Sequence, residues 1–430
     1  MHLRAVIFIL LASLLPLPLS FFAQADQQVP PGYFYQEDIY EVSPGREIFA
    51  RVYRGNKNLP AVVLLNGLTQ DTEHWNKALP ELLKSGATVI LYDMFHQGRT
   101  LGHFLESRNI LSKIGTRPIL PPLLAEKNGV GHLEPLLPAA TIEQQAADLK
   151  SLVRRLELNK VMVVGLSYGG ALALQYAVLD PDRVFKVVAM APYVEPLAEQ
   201  DQLIKGMVRT YKQTFPFARH NDVDLYDFFL RGLILSTYHL SEPTILKWGL
   251  MQPYANSELA RGIRHMPSLE LAEQLRPSVL HLGIAGADGY IPRSTLFGFW
   301  QKVPREVRAS LTVFEGVEHK INESVGPFMG AWLATLVQGR GGFSEGRQWQ
   351  AFPGKGLMVE VGGRQGRLEL PRTFACENFL LSPEGPFEKN LAIDRIARHP
   401  AEIMVRSFLS SKPAPMRQMS ERVLKFWGML

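Results

Sequence analysis

The chain has 430 residues, 46% of them hydrophobic and 20% charged, with a formal net charge of +5. That balance excludes large-scale disorder, and with no long basic run a nucleic-acid partner is not indicated. A single cysteine, Cys376, excludes an intrachain disulfide and a cysteine-rich metal site, so the fold must rest on its core.

In chain order, His2 and Arg4 precede an apolar stretch that ends at Phe22, and Ala23-Gln24-Ala25 has the small-x-small pattern that a signal peptidase cleaves. Residues 1–25 are therefore expected to be a signal peptide, with the mature chain exported to the periplasm or the exterior from near Asp26. An uncleaved membrane anchor is the alternative, disfavoured by Pro16 and Pro18. Residues 46–55 form an early strand. Residues 59–66, 87–94, 160–166 and 184–191 are short, β-branched apolar runs of the kind buried on both faces of a sheet. A Pro- and Leu-rich insertion at 101–138 separates two of them and is expected to border a binding-site entrance. Before the 160–166 strand, Thr141 and Gln144 form a capping-box pattern, and Ala146, Leu149, Leu152, Val153 and Leu156 recur at helical spacing. Strands at 278–285 and 311–315 complete an α/β fold with a mostly parallel central sheet and helices on both faces.

Gly165-Leu166-Ser167-Tyr168-Gly169-Gly170 joins the run Val161-Met162-Val163-Val164 to a helical run that starts at Ala171. Strand, sharp turn and helix in this order place the serine at the apex of a strained turn. Its hydroxyl is then exposed at a helix N-terminus, where the dipole favours developing negative charge.

Here the chain resembles the α/β-hydrolase family, in its lidded, serine esterase-like branch, over residues 40–338. The resemblance implies a hydrolase domain at 26–338 with a helical lid at 195–275, whose Phe228-Phe229-Leu230, Leu233-Ile234-Leu235, Trp248, Leu250 and Met251 are apolar enough to line an acyl pocket or to form the lid's own core. It also implies a serine, acid, histidine order. Asp288, in the loop after strand 278–285, is similar to the family's acid, and His319, after the last strand, to its histidine. Ser167 would be the nucleophile, His319 its general base and Asp288 the group that orients the imidazole. The oxyanion donors would be the backbone N–H groups of Tyr168 and Leu68, the latter in Asn66-Gly67-Leu68, where the family more often has histidine before the glycine.

Four neighbouring residues have plainer expectations. Asp93 is a structural turn acid, Glu195 only a fallback for Asp288, His281 a satisfied core residue, and Asn322-Glu323-Ser324 a chance glycosylation pattern beside His319. Ser167 argues against dehalogenase and epoxide-hydrolase chemistry, which use aspartate at the elbow. The expected activity is carboxylic-ester hydrolysis of a small-molecule acyl substrate through an acyl-enzyme, needing no metal and no cofactor. Peptidase, amidase or acyltransferase chemistry on the same residues and a non-catalytic envelope-associated binding protein are the alternatives.

Residues 339–430 lie beyond the resemblance and are expected to form an extension. Gly339-Arg340-Gly341-Gly342 is a linker, 357–361 and 367–370 a hairpin, and 416–430 an amphipathic helix with Phe426 and Trp427 on its apolar face. That helix suits docking onto the main domain or contact with a membrane surface.

Overall fold

The computed structural model describes residues 33–108, 140–195, 198–214, 251–264, 266–314 and 316–339, scattered positions between 216 and 230, and four short strands beyond residue 346. The expected signal peptide, most of the 101–138 insertion, Phe228, Leu233-Ile234-Leu235, Trp248, Leu250, Cys376 and the 416–430 helix lie outside the described residues.

One sheet organises the molecule. Its strands are β1 (Tyr35–Ser43), β2 (Arg46–Tyr53), β3 (Ala61–Leu65), β4 (Val89–Tyr92), β5 (Val161–Leu166), β6 (Val184–Met190), β7 (Leu280–Ala285), β8 (Arg308–Phe314), β9 (Arg347–Pro353) and β12 (Phe379–Pro383), in the order β1-β2-β4-β3-β5-β6-β7-β8-β9-β12. Pairing is parallel from β4 through β9 and antiparallel at both margins. Every residue of β3, β5 and β7 is buried. That double-sided burial is why these strands are continuous apolar runs rather than alternating ones.

The helices are α1 (Leu79–Leu83), α2 (Gly98–Ser107), α3 (Ile142–Arg155), α4 (Tyr168–Leu179), α5 (Ala198–Thr214), α6 (Met251–Ile263), α7 (Ser268–Glu273), α8 (Arg293–Lys302), α9 (Ile321–Ser324) and α10 (Gly326–Val337), with a 3₁₀ turn at Thr72–Trp75. The pairs α3–α4 and α1–α10 pack against each other beside the sheet. Between β6 and β7, where the sequence suggests a lid, lie α5 and α6. Asp201 on α5 meets Arg264, just past α6, in an ion pair, so these two helices are tied together.

Several details depart from the sequence analysis. β1 was not expected: its outer half is exposed, and without an apolar alternation nothing marks it as a strand. The capping box at α3 is only half formed. Thr141 Oγ1 accepts from Gln144 N–H at 3.3 Å, but the Gln144 amide turns to Asp148 Oδ1 at 3.1 Å instead of back to the cap. Asp148 also holds Arg46 in an ion pair.

Beyond residue 339 the chain adds β9 to the edge of β8 and β12 to β9, and a separate two-stranded sheet pairs β10 (Met358–Val361) with β11 (Arg364–Arg367). The second hairpin strand begins three residues earlier than the sequence suggests, with Val361 paired to Arg364.

His281 is buried in β7, and among the described residues only one of its ring nitrogens finds a partner: Nδ1 lies 2.8 Å from Ser310 Oγ of β8, while Nε2 has none. Burial, helped by the Lys186 charge, pushes its pKa down to about 3 from 6.5. The folded-state value lies below the unfolded one, so the unfolded chain binds the extra proton and acid favours unfolding. Stability should therefore fall as pH drops below 6.5, with this group alone removing about 2 kcal/mol by about pH 5. Denaturant midpoints measured at neutral and mildly acidic pH should show a smaller acid-induced loss in His281→Asn than in the wild type.

Candidate active site

The carboxyl ends of β3, β5, β7 and β8 bring the expected site residues to one edge of the sheet, where ligands of such sheets bind. β5 ends at Leu166 and α4 begins at Tyr168, which leaves Ser167 alone to reverse the chain. Its backbone sits at φ 54°, ψ −114°, a left-handed conformation costing on the order of 1–3 kcal/mol for a residue with a Cβ. The turn is held from outside: Ser167 N–H donates to Met190 O at 2.9 Å, and Ser167 O accepts from Tyr193 N–H at 3.1 Å. Serine at a helix N-cap ordinarily folds its hydroxyl back onto the first turn. Here the side chain makes no cap hydrogen bond, so Oγ remains available at the mouth of the site.

Two glycines permit this geometry. A Cβ on Gly165 would lie 2.0 Å from Gly169 O, and one on Gly169 would lie 2.3 Å from Leu65 O. Both obstacles are backbone, so neither can swing aside.

Asp288 and His319 are brought together by the loops after β7 and β8. Those loops are bonded to the last strand's end and to each other: Gly286 N–H donates to Phe314 O at 2.8 Å and Ala287 N–H to Val317 O at 2.9 Å. Asp288 Oδ1 accepts from the Tyr290 and Ile291 N–H groups at 2.8 and 2.9 Å, which aims Oδ2 at His319 Nδ1, 2.7 Å away. The carboxylate side chain is fully buried, whereas the imidazole is 13% exposed. With Nδ1 committed to the carboxylate, the network assigns the proton to Nδ1 and leaves Nε2 as the acceptor. The Tyr290 ring packs against the imidazole at a tilt of 54°, with centroids 5.1 Å apart. Among the described residues no hydrogen bond joins Ser167 to His319, a contact that such sites often tighten only around substrate.

Tyr168 opens α4, so its N–H has no intrahelical acceptor. Leu68 lies in the turn after β3. Gln97 Nε2 donates to Gly67 O at 2.8 Å and to Leu68 O at 3.1 Å. The Gly67 carbonyl and the Leu68 N–H belong to one trans peptide and point in opposite directions, so fixing the carbonyl on Gln97 turns the Leu68 N–H away from it.

Asn66, where the family more often has histidine, carries a structural load. Its side chain is completely buried; Nδ2 donates to Tyr92 O at 3.1 Å and Asp93 Oδ1 at 3.3 Å, and Oδ1 accepts from Trp75 Nε1 at 2.9 Å. Asp93 also accepts from Thr72 N–H at 2.8 Å and Arg99 N–H at 2.7 Å, so it ties the Leu68 loop to the start of α2. Burial and the nearby Asp71 push the Asp93 carboxyl up to about 7, against the pull of these N–H groups. Burial also raises Asp71, but hydrogen bonding and attraction from His74 bring it below its usual range.

The other residues singled out in the sequence fall apart from this geometry. Glu195 is exposed beyond β6, and Asn322 is buried and hydrogen-bonded, closed to any glycan in the folded state. Gln70, Gln97 and Tyr290 were not anticipated, because loop amides and a lone aromatic have no periodicity to mark them.

Residues 60–236 match the family model described as alpha/beta hydrolase fold. Similar solved structures include MGS-M2, an alpha/beta hydrolase enzyme from a Medee basin deep-sea metagenome library (16% identity, 71% of this chain and 98% of that one, TM-score 0.47). Two others are a thermophilic esterase from Thermogutta terrifontis (16%, 71% and 99%, TM-score 0.43) and naproxen esterase from Bacillus subtilis (14%, 71% and 92%, TM-score 0.42). No curated protein matches the chain. The matched segment holds Ser167 and strands β3 to β6, and the mostly parallel sheet to which they belong has the architecture of an α/β-hydrolase fold.

Two stability predictions follow from the packing at the site. Gly169→Ala should lower stability by about 1–3 kcal/mol, the usual cost of overpacking. Asn66→Leu, by stranding the Trp75 N–H and removing one donor to Asp93, should on its own cost about 1–3 kcal/mol. Chemical denaturation of each variant checks both.

Proposed function

We propose that this protein is a serine hydrolase that cleaves carboxylic esters of small-molecule acyl substrates through an acyl-enzyme. The observation that carries the proposal is the Asp288–His319 pair, 2.7 Å apart, on the same sheet edge as a strained serine whose hydroxyl is not spent on capping. His319 Nε2 takes the Ser167 proton as Oγ attacks the ester carbonyl. The tetrahedral oxyanion is held by the Tyr168 and Leu68 N–H groups, which need no reorganisation because their peptides are already fixed. Collapse expels the alcohol, protonated by the imidazolium, and leaves Ser167 acylated. Water then repeats the sequence, with His319 as base, and releases the acid. Asp288 holds the tautomer and stabilises the imidazolium between the two halves.

A fluorophosphonate probe should label the wild type and not Ser167→Ala. With p-nitrophenyl esters of graded chain length, Asp288→Asn should reduce kcat by on the order of 10³–10⁴, the effect of presenting the wrong tautomer. Labelling with turnover of amides alone would move the assignment to a peptidase, and a folded protein that never labels would move it to a binding role.

A further inference from the structure

Three residues beyond His319, the short helix α9 carries Asn322, whose side chain is fully buried against the turn that follows β3. It meets Gln70, 3% exposed, across 252 residues of sequence. The two amides pair reciprocally: Gln70 Nε2 donates to Asn322 Oδ1 at 3.2 Å, and Asn322 Nδ2 donates to Gln70 Oε1 at 3.3 Å. Neither amide stops there. Gln70 Oε1 also accepts from Gly67 N–H at 3.1 Å, and Gln70 Nε2 reaches Glu323 Oε1 at 3.3 Å. Asn322 Nδ2 also donates to His74 O at 3.2 Å, while α9 is tied back to the histidine by Ile321 N–H donating to His319 O at 2.9 Å.

Gly67 is thus gripped on both sides, its N–H by the Gln70 side chain and its carbonyl by Gln97 Nε2 and Gln70 N–H. That carbonyl shares its peptide with the Leu68 N–H. We infer that the buried Gln70–Asn322 amide pair is a positioning device that sets the Leu68 oxyanion donor in register with the His319 loop. The inference rests on the serine-hydrolase reading and adds to it the element joining two parts of the site that come from opposite ends of the domain. Both amides are uncharged, so the pair itself carries no group that titrates. Each of their polar atoms is satisfied, so a substitution at either position leaves a buried partner unpaired and frees the turn.

The test uses the full-length chain with Gln70→Leu and Asn322→Asp. The second keeps the side-chain shape but removes both N–H donors. For variants that fold, kcat on a p-nitrophenyl ester and the rate of fluorophosphonate labelling should fall together, by about 10- to 100-fold, the scale of a misplacement near 1 Å at a reacting centre. KM should stay within about threefold and the pH profile should keep its shape, the pattern of a lost transition-state interaction rather than general loosening. The reciprocal swap, Gln70→Asn with Asn322→Gln, restores one amide to each position and should recover part of kcat. Folded variants with wild-type kcat, or with KM rising as kcat falls, overturn the inference while leaving the hydrolase reading intact. If Gln70→Leu fails to fold, Asn322→Asp decides. A wild type that neither labels nor turns over esters overturns both readings together.

Discussion

The backbones of β3, β5 and α4 approach so closely that no side chain fits between them, and the layout of the site depends on that approach. Gly165 faces the first turn of α4, and Gly169 faces the end of β3. Ser167 after one strand and the Leu68 turn after another are thereby separated by a fixed stack of peptide groups rather than by adjustable side chains. The strain at Ser167 persists because Met190 O and Tyr193 N–H hold it from the neighbouring strand, so the conformational cost is offset by the surrounding sheet.

Around this rigid centre lies a group of buried polar side chains bonded to the loops of the site. Asn66, Gln70, Asp93, Gln97 and Asn322 are all buried, and each bonds the turn after β3, the start of α2 or the helix after His319. Four of the five are neutral amides, which supply donor and acceptor together without the desolvation cost of a charge. The one carboxyl, Asp93, is correspondingly pushed upward by burial. The carboxylate beside His319 follows the opposite logic. Asp288 receives two backbone N–H groups and the imidazole, partners that compensate a charge taken out of water.

Much of this was legible in the sequence, and the reasons differ by element. The strands buried on both faces announce themselves as β-branched runs, and Ser167 is marked by glycines whose absent side chains the structure accounts for. Asp288 and His319 could be placed because each directly follows such a strand. β1 could not, since this edge strand, Tyr35–Ser43, lacks an apolar face to read. Asn66 stood out only as a departure from the family, and its true partners, Trp75 and Asp93, lie nine and 27 residues away. Gln70 and Asn322 form a contact that no local pattern encodes, and the register of β10 with β11 turned on a turn whose length the residues do not specify.

The buried position of Asn322 also bears on the order of events during biosynthesis. Its side chain lies in an Asn-Glu-Ser tripeptide, yet in the finished fold it is sealed between α9 and the turn carrying Gln70. An oligosaccharide could reach it only while the chain is still open, and once attached it would bar α9 from closing over the site. In a secretory pathway that glycosylates nascent chains, the race between sugar transfer and closure of the last helices would decide how much product matures, whereas a host without that machinery would place no such checkpoint on folding.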